Sequence, residues 1–443
     1  MLVMKFGGTS VGSAKAISEV AAIVKARLKQ KPVVVVSAVS GVTDGLIRLA
    51  EEASNGKGAD LFSSIHGQHK DILLDLKLSE SLCDKEFAEL TALVKKTRKK
   101  KSKLTQKTLD TFKSFGERLS SLIVAETLKK AGVPAKAFPA WELGMITNDV
   151  FGDSDPLPES SALLKKKICA LTLVPVITGF LGKTKKGEIT TLGRGGSDYT
   201  AAIIGAAIKA EAIQIWKEVD GFLTTDPRIV PEAKIVSELA FEEACELAYF
   251  GAKVLHPKTI LPAMELGVPV QVLNTFKPEG KGTTIVSSFE DRRHKSHSVE
   301  AFSRKKGITI LHVRSPEFFD GSGLMAKLFK VFERHRTSID LIATSVVSVS
   351  LTIDNEKYLK EIVHDLKNLG DVSVVRGKAI ICMVGGSINA AGVAGRIFTT
   401  LGKHEIPVEM ISQAASGVSM TFVVDECDTE RALRILHAEF IEK

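Results

Sequence analysis

The chain has 443 residues, too many for one compact domain; that length implies two or three. Its 44% apolar and 25% charged residues are the proportions of a water-soluble globular protein. Five scattered cysteines with no Cys-x-x-Cys pair argue against a zinc ribbon or a disulfide framework and suit a reducing, cytoplasmic compartment. No apolar run reaches the ~18 residues of a membrane span, and the strand and glycine turn within the first nine residues leave no signal peptide to expect.

A net charge of +8 raises the question of nucleic acid. Much of it lies in one run, Lys95 to Lys107 (KKTRKKKSKLTQK), which reads as a solvated helix face or exposed turn, with a polyanion contact as the alternative. No aromatic residue interleaves with these lysines, so a stacking platform for single strands is absent there. Neither nucleic acid nor membrane is the expected partner.

In chain order, LVMKF (2–6) predicts a strand that runs into Gly7-Gly8-Thr9-Ser10. The next stretch places Ile17, Val20, Ala21, Val24 and Leu28 on one helical face. Pro32 and VVVVS predict a buried strand, with SGVTDG as the loop after it, so the two strands are expected to be parallel. A helical stretch of about a hundred residues follows, closing at Gly132. TLVPVITGF, EITTL and EAIQIW predict further strands, and YTAAIIGAAIKA a helix between the last two. Alternating strands and helices make residues 1–290 an α/β domain with an open, mostly parallel sheet.

SSFEDRRHKSHS reads as a linker, and after it the sequence repeats itself. At a constant offset of 69, His335 matches His404, Ile339 matches Val408, and Val349-Ser350 matches Val418-Ser419. Each copy, 307–376 and 377–443, reads as an α+β unit. The second is one strand short, and 298–305 is the candidate to complete it. The first unit is therefore expected to be inserted within the second.

Two decoys fall away. Gly179-Phe-Leu-Gly182-Lys183-Thr184 resembles the end of a P-loop, but the glycine spacing is wrong and KKGEIT after it is turn and strand, not helix. No Gly-x-Gly-x-x-Gly opens a helix, so a dinucleotide oxidoreductase is unsupported.

Three turns follow predicted strands, where ligands bind in open α/β sheets. Lys5-Phe6-Gly7-Gly8-Thr9-Ser10 combines glycine amides, a helix start and a full positive charge, as a phosphate site requires; a tight turn with a surface lysine is the alternative. Gly193-Arg194-Gly195-Gly196-Ser197-Asp198 pairs a guanidinium suited to a carboxylate with a carboxylate suited to an ammonium, which points to an amino acid. An N-cap aspartate beside an exposed arginine is the other reading. Trp216 to Arg228 carries both charge signs and could hold a nucleotide, although Asp226-Pro227 is also an ordinary turn. Glu117, after Gly116, is ambiguous between a helix-start carboxylate and an amine ligand. These turns contain no histidine or cysteine, and a carboxylate substrate, already ionised near pH 7, needs no base. Phosphoryl transfer to it would rest on positioning and charge neutralisation.

Taken together, KFGGTS (5–10), GER (116–118), GRGGSD (193–198), TTDPR (224–228) and GAKVLHP (251–257) resemble the aspartate kinases of the amino acid kinase family, in that family's order. The tandem repeat resembles its paired ACT (ferredoxin-like) regulatory units. The resemblance covers essentially the whole chain, and its end directly after the repeat implies a monofunctional enzyme. It implies transfer of the ATP γ-phosphate to the side-chain carboxylate of L-aspartate, giving 4-phospho-L-aspartate on the way to lysine, threonine, methionine and diaminopimelate. Mg2+ would be held mainly by the phosphates, with no protein metal site. A kinase for another amino-acid carboxylate, such as glutamate, and a silent amino-acid sensor are the rivals.

Carried over motif by motif, the resemblance gives Lys5 the transferring phosphoryl group, helped by Gly7, Gly8, Thr9 and Ser10. Arg194 would hold the aspartate α-carboxylate, with Thr43, Glu117, Ser197 and Asp198 completing that pocket. Lys217, Glu218, Leu223, Arg228, Lys253 and Val254 fall on the nucleotide side, with Leu223 in place of the tyrosine of many relatives. ACT pairs associate side by side, implying a homodimer with feedback inhibition, lysine being the first expected effector and threonine the second. Phe319, Asp320, Gly323, Leu324, Met325, Ser338, Ile339 and Asp340 resemble the effector pocket. Asp340 would meet the effector ammonium, or be an exposed turn carboxylate. Val346 stands where many relatives carry glutamate.

Overall fold

The computed structural model describes residues 1–100, 104–252, 254–288, 299–320 and 323–442, and among these the side chains of Lys100, Phe319 and Asp320 are not described. The chain forms two compact units. Apart from those gaps, the first comprises 1–222, 237–241 and 254–288, and the second 223–236, 242–252 and 299–442.

In the first unit the strands are β1 (Leu2–Phe6), β2 (Pro32–Val36), β3 (Ala135–Phe138), β4 (Ile146–Thr147), β5 (Val174–Thr178), β6 (Leu181–Thr184), β7 (Ile189–Thr191), β8 (Ala212–Lys217), β9 (Glu238–Ala240), β10 (Val270–Asn274) and β11 (Thr283–Val286). The main sheet has the order β3-β5-β2-β1-β8-β10-β11-β9. It is parallel from β3 through β10, and β11 runs antiparallel to β10. Every residue of β1 and β2 is buried, as a parallel strand covered on both faces requires. Strands β4, β6 and β7 form a small separate sheet, so Lys183 and Thr184 of the P-loop look-alike lie in a strand.

Helices α1 (Ala14–Lys25), α2 (Val42–Ser54), α3 (Ala59–Asp75), α4 (Asp84–Lys100), α5 (Gln106–Lys130), α6 (Glu159–Cys169) and α7 (Gly196–Ile208) belong to the same unit. The predicted face of α1 buries Ile17, Val20, Ala21 and Val24, but Leu28 is 39% exposed, because the helix ends at Lys25 and a 3₁₀ turn rotates Leu28 outward. Helix α2 starts at Val42, inside the stretch read as loop, so Thr43 and Asp44 occupy its first turn. In α7 the run TAAIIGAAI is apolar on every side, and the helix is buried along almost its whole length. Lys95, Lys96 and Lys99 of the basic run lie exposed on α4, and residues 101–103 fall outside the described residues.

The second unit holds α8 (Phe241–Tyr249, from Glu242 on), while α9 (Leu261–Met264) returns to the first. Its C-terminal portion contains β12 (Ala301–Arg314), α10 (Glu317–Asp320), α11 (Leu324–Arg334), β13 (Ile342–Thr344), β14 (Ser348–Ile353), α12 (Leu359–Leu366), β15 (Asp371–Val384), α13 (Val393–Lys403), β16 (Met410–Gln413), β17 (Ser419–Asp425) and α14 (Thr429–His437). One sheet of order β13-β14-β12-β15-β17-β16 joins them. The long strands β12 and β15 pair antiparallel from Ala301↔Val384 to Arg314↔Asp371, with a register break between Lys305 and Ile310. On one side of the break, α11 and α12 bury Leu328, Phe332, Ile362 and Leu366; on the other, α13 and α14 bury Ile397, Leu401, Leu433 and Leu436. Residues 301–305 therefore pair with the strand of the second repeat, and the first repeat lies between them in the chain.

Candidate functional site

A cleft of about 620 Å³ opens at the carboxyl ends of β1, β2 and β8. Lys5, the penultimate residue of β1, is only 5% exposed, and its ammonium lies 2.6 Å from Asp198 Oδ1. Lys217, at the end of the adjacent β8, reaches Asp198 Oδ2 at 2.9 Å and also donates to the Val254 carbonyl at 2.6 Å. Asp198 sits in the first turn of α7, where the helix dipole also favours a negative charge. Burial pushes its carboxyl up, but the two ammonium groups outweigh that and hold it down at about 2. Burial lowers the Lys5 pKa, and repulsion from Lys217 adds to the effect against the attraction of Asp198. A buried ammonium, Lys5, and a half-buried one, Lys217, share one carboxylate, so the cluster carries an excess positive charge beside the Gly7-Gly8 turn. Such a site suits an anion.

Across the cleft, Gly193 has φ +74° and a Cβ there would collide with Asp153 Oδ1, so only glycine allows this turn to present Arg194. The exposed Arg194 guanidinium lines the cleft and has no ion-pair partner among the described residues. Gly116 brings α5 against the loop after β2: a Cβ there would lie 2.6 Å from that of Ala38. The close approach lets Glu117 Oε1 accept the Ala38 N–H at 3.2 Å. Glu117 Oε2 is buried and has no partner. Burial, only partly offset by backbone hydrogen bonds and Lys5, pushes the Glu117 carboxyl up to about 8. The same cleft thus offers an unpaired guanidinium and an unsatisfied carboxyl oxygen, complementary to the two ends of an amino acid.

Residues 1–274 match the amino acid kinase family, and residues 381–440 match an ACT domain. The chain is 38% identical to aspartokinase 1, chloroplastic, of Arabidopsis thaliana over 459 residues, which is 99% of this chain and 80% of that one. It is 35% identical to lysine-sensitive aspartokinase 3 of Escherichia coli over 459 residues, 100% of this chain and 99% of the other. The chain belongs to the aspartokinases of the amino acid kinase family. Its fold superposes on the crystal structure of E. coli aspartokinase III in complex with aspartate and ADP (R-state) with a TM-score of 0.83, 32% identity and full coverage of both chains.

Of the residues singled out in this aspartokinase sequence, Lys5, Gly7, Gly8, Thr9, Thr43, Glu117, Arg194, Ser197, Asp198, Lys217 and Glu218 all line the one cleft. Ser10 does not. Its hydroxyl is fully buried between Thr275 Oγ1 at 2.7 Å and the Trp216 carbonyl at 3.3 Å, so it braces the turn from behind. Val254 takes part through its carbonyl, not its side chain. Leu223 and Arg228 are in the second unit, where Arg228 is 86% exposed along its side chain and chelated by Asp226 at 2.9 and 2.8 Å. Lys253 lies outside the described residues. Asp198, read from the sequence as facing a substrate ammonium, has both oxygens engaged by lysines instead.

Asp110 was not legible. It is fully buried in α5, accepts from Gly152 N–H at 2.8 Å, Thr191 N–H at 3.1 Å and the Thr191 hydroxyl at 2.9 Å, and so anchors the strand that leads into the Arg194 turn. These partners lie 42 and 81 residues away, and its one local partner, Lys113 at 3.4 Å, is an ordinary i,i+3 helix pair that marks no site.

In the ACT portion, Gly323 caps α11, Leu324 is buried, Met325 and Ile339 pack against the apolar cluster, and Ser338 is exposed. The side chains of Phe319 and Asp320 fall outside the described set. Asp340 is not an exposed turn carboxylate: its side chain is 1% exposed, and Oδ1 accepts from both Tyr249 OH and Lys305 Nζ at 2.7 Å. Lys305 also reaches Asp354 at 2.8 Å. An internal ammonium therefore already occupies one Asp340 oxygen, while Oδ2 is buried and has no partner among the described residues. Val346 is 64% exposed.

Proposed function

We propose that the chain transfers the γ-phosphate of ATP to the side-chain carboxylate of L-aspartate. The observation that carries this reading is the single cleft in which the Lys5–Asp198–Lys217 cluster and the Gly7-Gly8 turn stand opposite Arg194 and Glu117. The cluster has the charge to receive a polyphosphate, and Lys5 is placed to compensate charge on the phosphoryl group in transit. Arg194 receives the α-carboxylate, and Glu117 Oε2 the α-ammonium. Asp198 orients the two lysines and keeps them apart. The substrate's side-chain carboxylate is the nucleophile and carries no proton to remove.

Among the described residues no group of three or more His, Cys, Asp or Glu side chains could hold a metal ion, and Asp198 is committed to lysines. Mg2+ would come with the phosphates, whose charge it would partly neutralise. We read the chain as a homodimer, a reading supported by Ile342 and Ile411, which the edge strands β13 and β16 of the ACT sheet expose. We place the enzyme in the cytoplasm, at the head of lysine and diaminopimelate synthesis, with lysine as effector. A lysine ammonium would meet Asp340 at Oδ2, the oxygen that Lys305 and Tyr249 leave without a partner.

Coupled ADP release measured with L-aspartate and L-glutamate, with hydroxylamine trapping of the acyl phosphate, tests the reading. ADP release and hydroxamate with aspartate are expected; preference for glutamate, or no turnover with either, would overturn it.

A further inference from the structure

Six non-glycine residues among those described have a left-handed backbone. Five of them (Lys31, Lys77, Lys209, Arg336 and Glu405) lie at or just past the end of a helix, where that conformation is ordinary. The sixth, Phe180, has φ +66° and lies between β5 and β6, with no helix to close. A bulky side chain is strained there, and such strain persists only where the surroundings over-determine it. Phe180 is half-buried and lines the same cleft as Arg194 and Glu117.

One hydroxyl holds it. Thr200, fully buried in α7, accepts the Phe180 N–H on Oγ1 at 2.9 Å and donates its own proton to the Gly196 carbonyl at 2.8 Å. The Phe180 carbonyl accepts from Leu192 N–H at 2.9 Å, so both of its backbone groups are bonded to residues flanking the Arg194 turn. Gly196 closes that turn: its N–H donates to the Gly193 carbonyl at 3.1 Å, and a Cβ on it would collide with Phe180 Cδ2. Gly179 lets the two segments touch, since a Cβ there would lie 2.6 Å from that of Ser197. We infer that Thr200 is a positioning residue for aspartate binding: its hydroxyl fixes the Phe180 wall of the cleft to the turn that presents Arg194. Without it a buried N–H loses its acceptor, and Phe180 is free to leave the left-handed region. Asp198, two residues earlier on α7, is held independently by its two lysines, so the phosphate side should be little disturbed. The inference rests on the proposed aspartate-side role of Arg194.

The test uses the full chain and the variants Thr200→Val, Thr200→Ser and Phe180→Gly, with steady-state assays giving kcat and both KM values. Thr200→Val, which keeps the shape of the side chain, should raise the aspartate KM by about three- to tenfold, the scale of one lost hydrogen bond, with the ATP KM within about twofold of the parent. Thr200→Ser, which keeps the hydroxyl, should stay near the parent. Phe180→Gly removes the ring and relieves the backbone together, and should raise the aspartate KM by itself. Thr200→Val added to it should cost a smaller factor than in the parent, because part of its effect is exerted through Phe180. Equal factors in the two backgrounds, equal changes in both KM values, or a Thr200→Ser as impaired as Thr200→Val would overturn the inference. If Thr200→Val does not fold, Phe180→Gly carries the test, and an unchanged aspartate KM in it overturns the inference. Failure of the parent reading has a different signature: unmodified protein that does not phosphorylate aspartate.

Discussion

Lys5 and Lys217 meet on a single carboxylate, Asp198, at 2.6 and 2.9 Å, so the floor of the cleft holds a buried and a half-buried ammonium against one buried anion. The excess charge is tolerable in an empty site only because Asp198 is fully ionised, and an incoming phosphate completes the balance. Lys5→Ala should therefore lower kcat by ~10²–10³, the scale of losing one charge-stabilising donor, while the aspartate KM stays within about threefold. Near-normal kcat with a large rise in aspartate KM would make Lys5 a substrate-binding residue instead.

Asp198→Asn removes the attraction that opposes burial at Lys5 and leaves the repulsion from Lys217. The Lys5 ammonium would then lose its proton at lower pH. The alkaline limb of the kcat profile should shift downward, with activity partly recovered on acidification. A profile merely scaled down, with its limbs in place, would show that Lys5 protonation does not govern turnover.

Glu117 gives the pH dependence of substrate binding. Its carboxyl is raised to about 8, so the empty folded protein holds this proton more tightly than the unfolded chain. That contribution to stability is complete below the ordinary carboxyl range and is lost as pH rises through about 8. An ammonium placed at Oε2 favours the carboxylate. Aspartate binding at pH 7 should consequently expel a proton, and aspartate affinity should improve as pH approaches 8. Calorimetry in two buffers of different ionisation enthalpy reads the proton directly; Glu117→Gln should abolish its release and weaken aspartate binding, leaving ADP binding unchanged. Proton-neutral binding by the parent would remove Glu117 from the ammonium site.

Asp110 faces four donors: two N–H groups, a hydroxyl and, at 3.4 Å, the Lys113 ammonium. Asp110→Asn turns one of its oxygens into a fifth donor and removes the charge that Lys113 meets. The expected cost is about 1–3 kcal/mol in denaturant unfolding, together with a larger rise in aspartate KM than in ATP KM, because the Arg194 turn loses its anchor. Lost stability with both KM values unchanged would leave Asp110 a purely structural residue.

These residues also mark how far the sequence could be read. The alternation around Ile17, Val20 and VVVVS was legible because strand and helix periods differ, and the Gly193 turn because clustered glycines mark a turn by themselves. The neighbours that demand Gly193 and Gly116, Asp153 and Ala38, lie far off in the sequence. Leu28 was misplaced because a helix end changes the face a residue presents, and periodicity alone does not locate that end. Asp110 stayed hidden because its partners are backbone N–H groups, which every residue carries. Asp340 was legible as a functional candidate, but its internal partners Lys305 and Tyr249 were not, since that pairing depends on how distant segments fold together.

A crystal structure with L-aspartate and ADP bound measures the division of labour in the cleft most directly. The account predicts the aspartate ammonium within hydrogen-bond distance of Glu117 Oε2, the α-carboxylate on Arg194, and the ADP phosphates at the Gly7-Gly8 turn beside Lys5 and Lys217, with Asp198 still bridging the two lysines. Aspartate bound with its ammonium on Asp198, or phosphates placed away from Lys5, would contradict it.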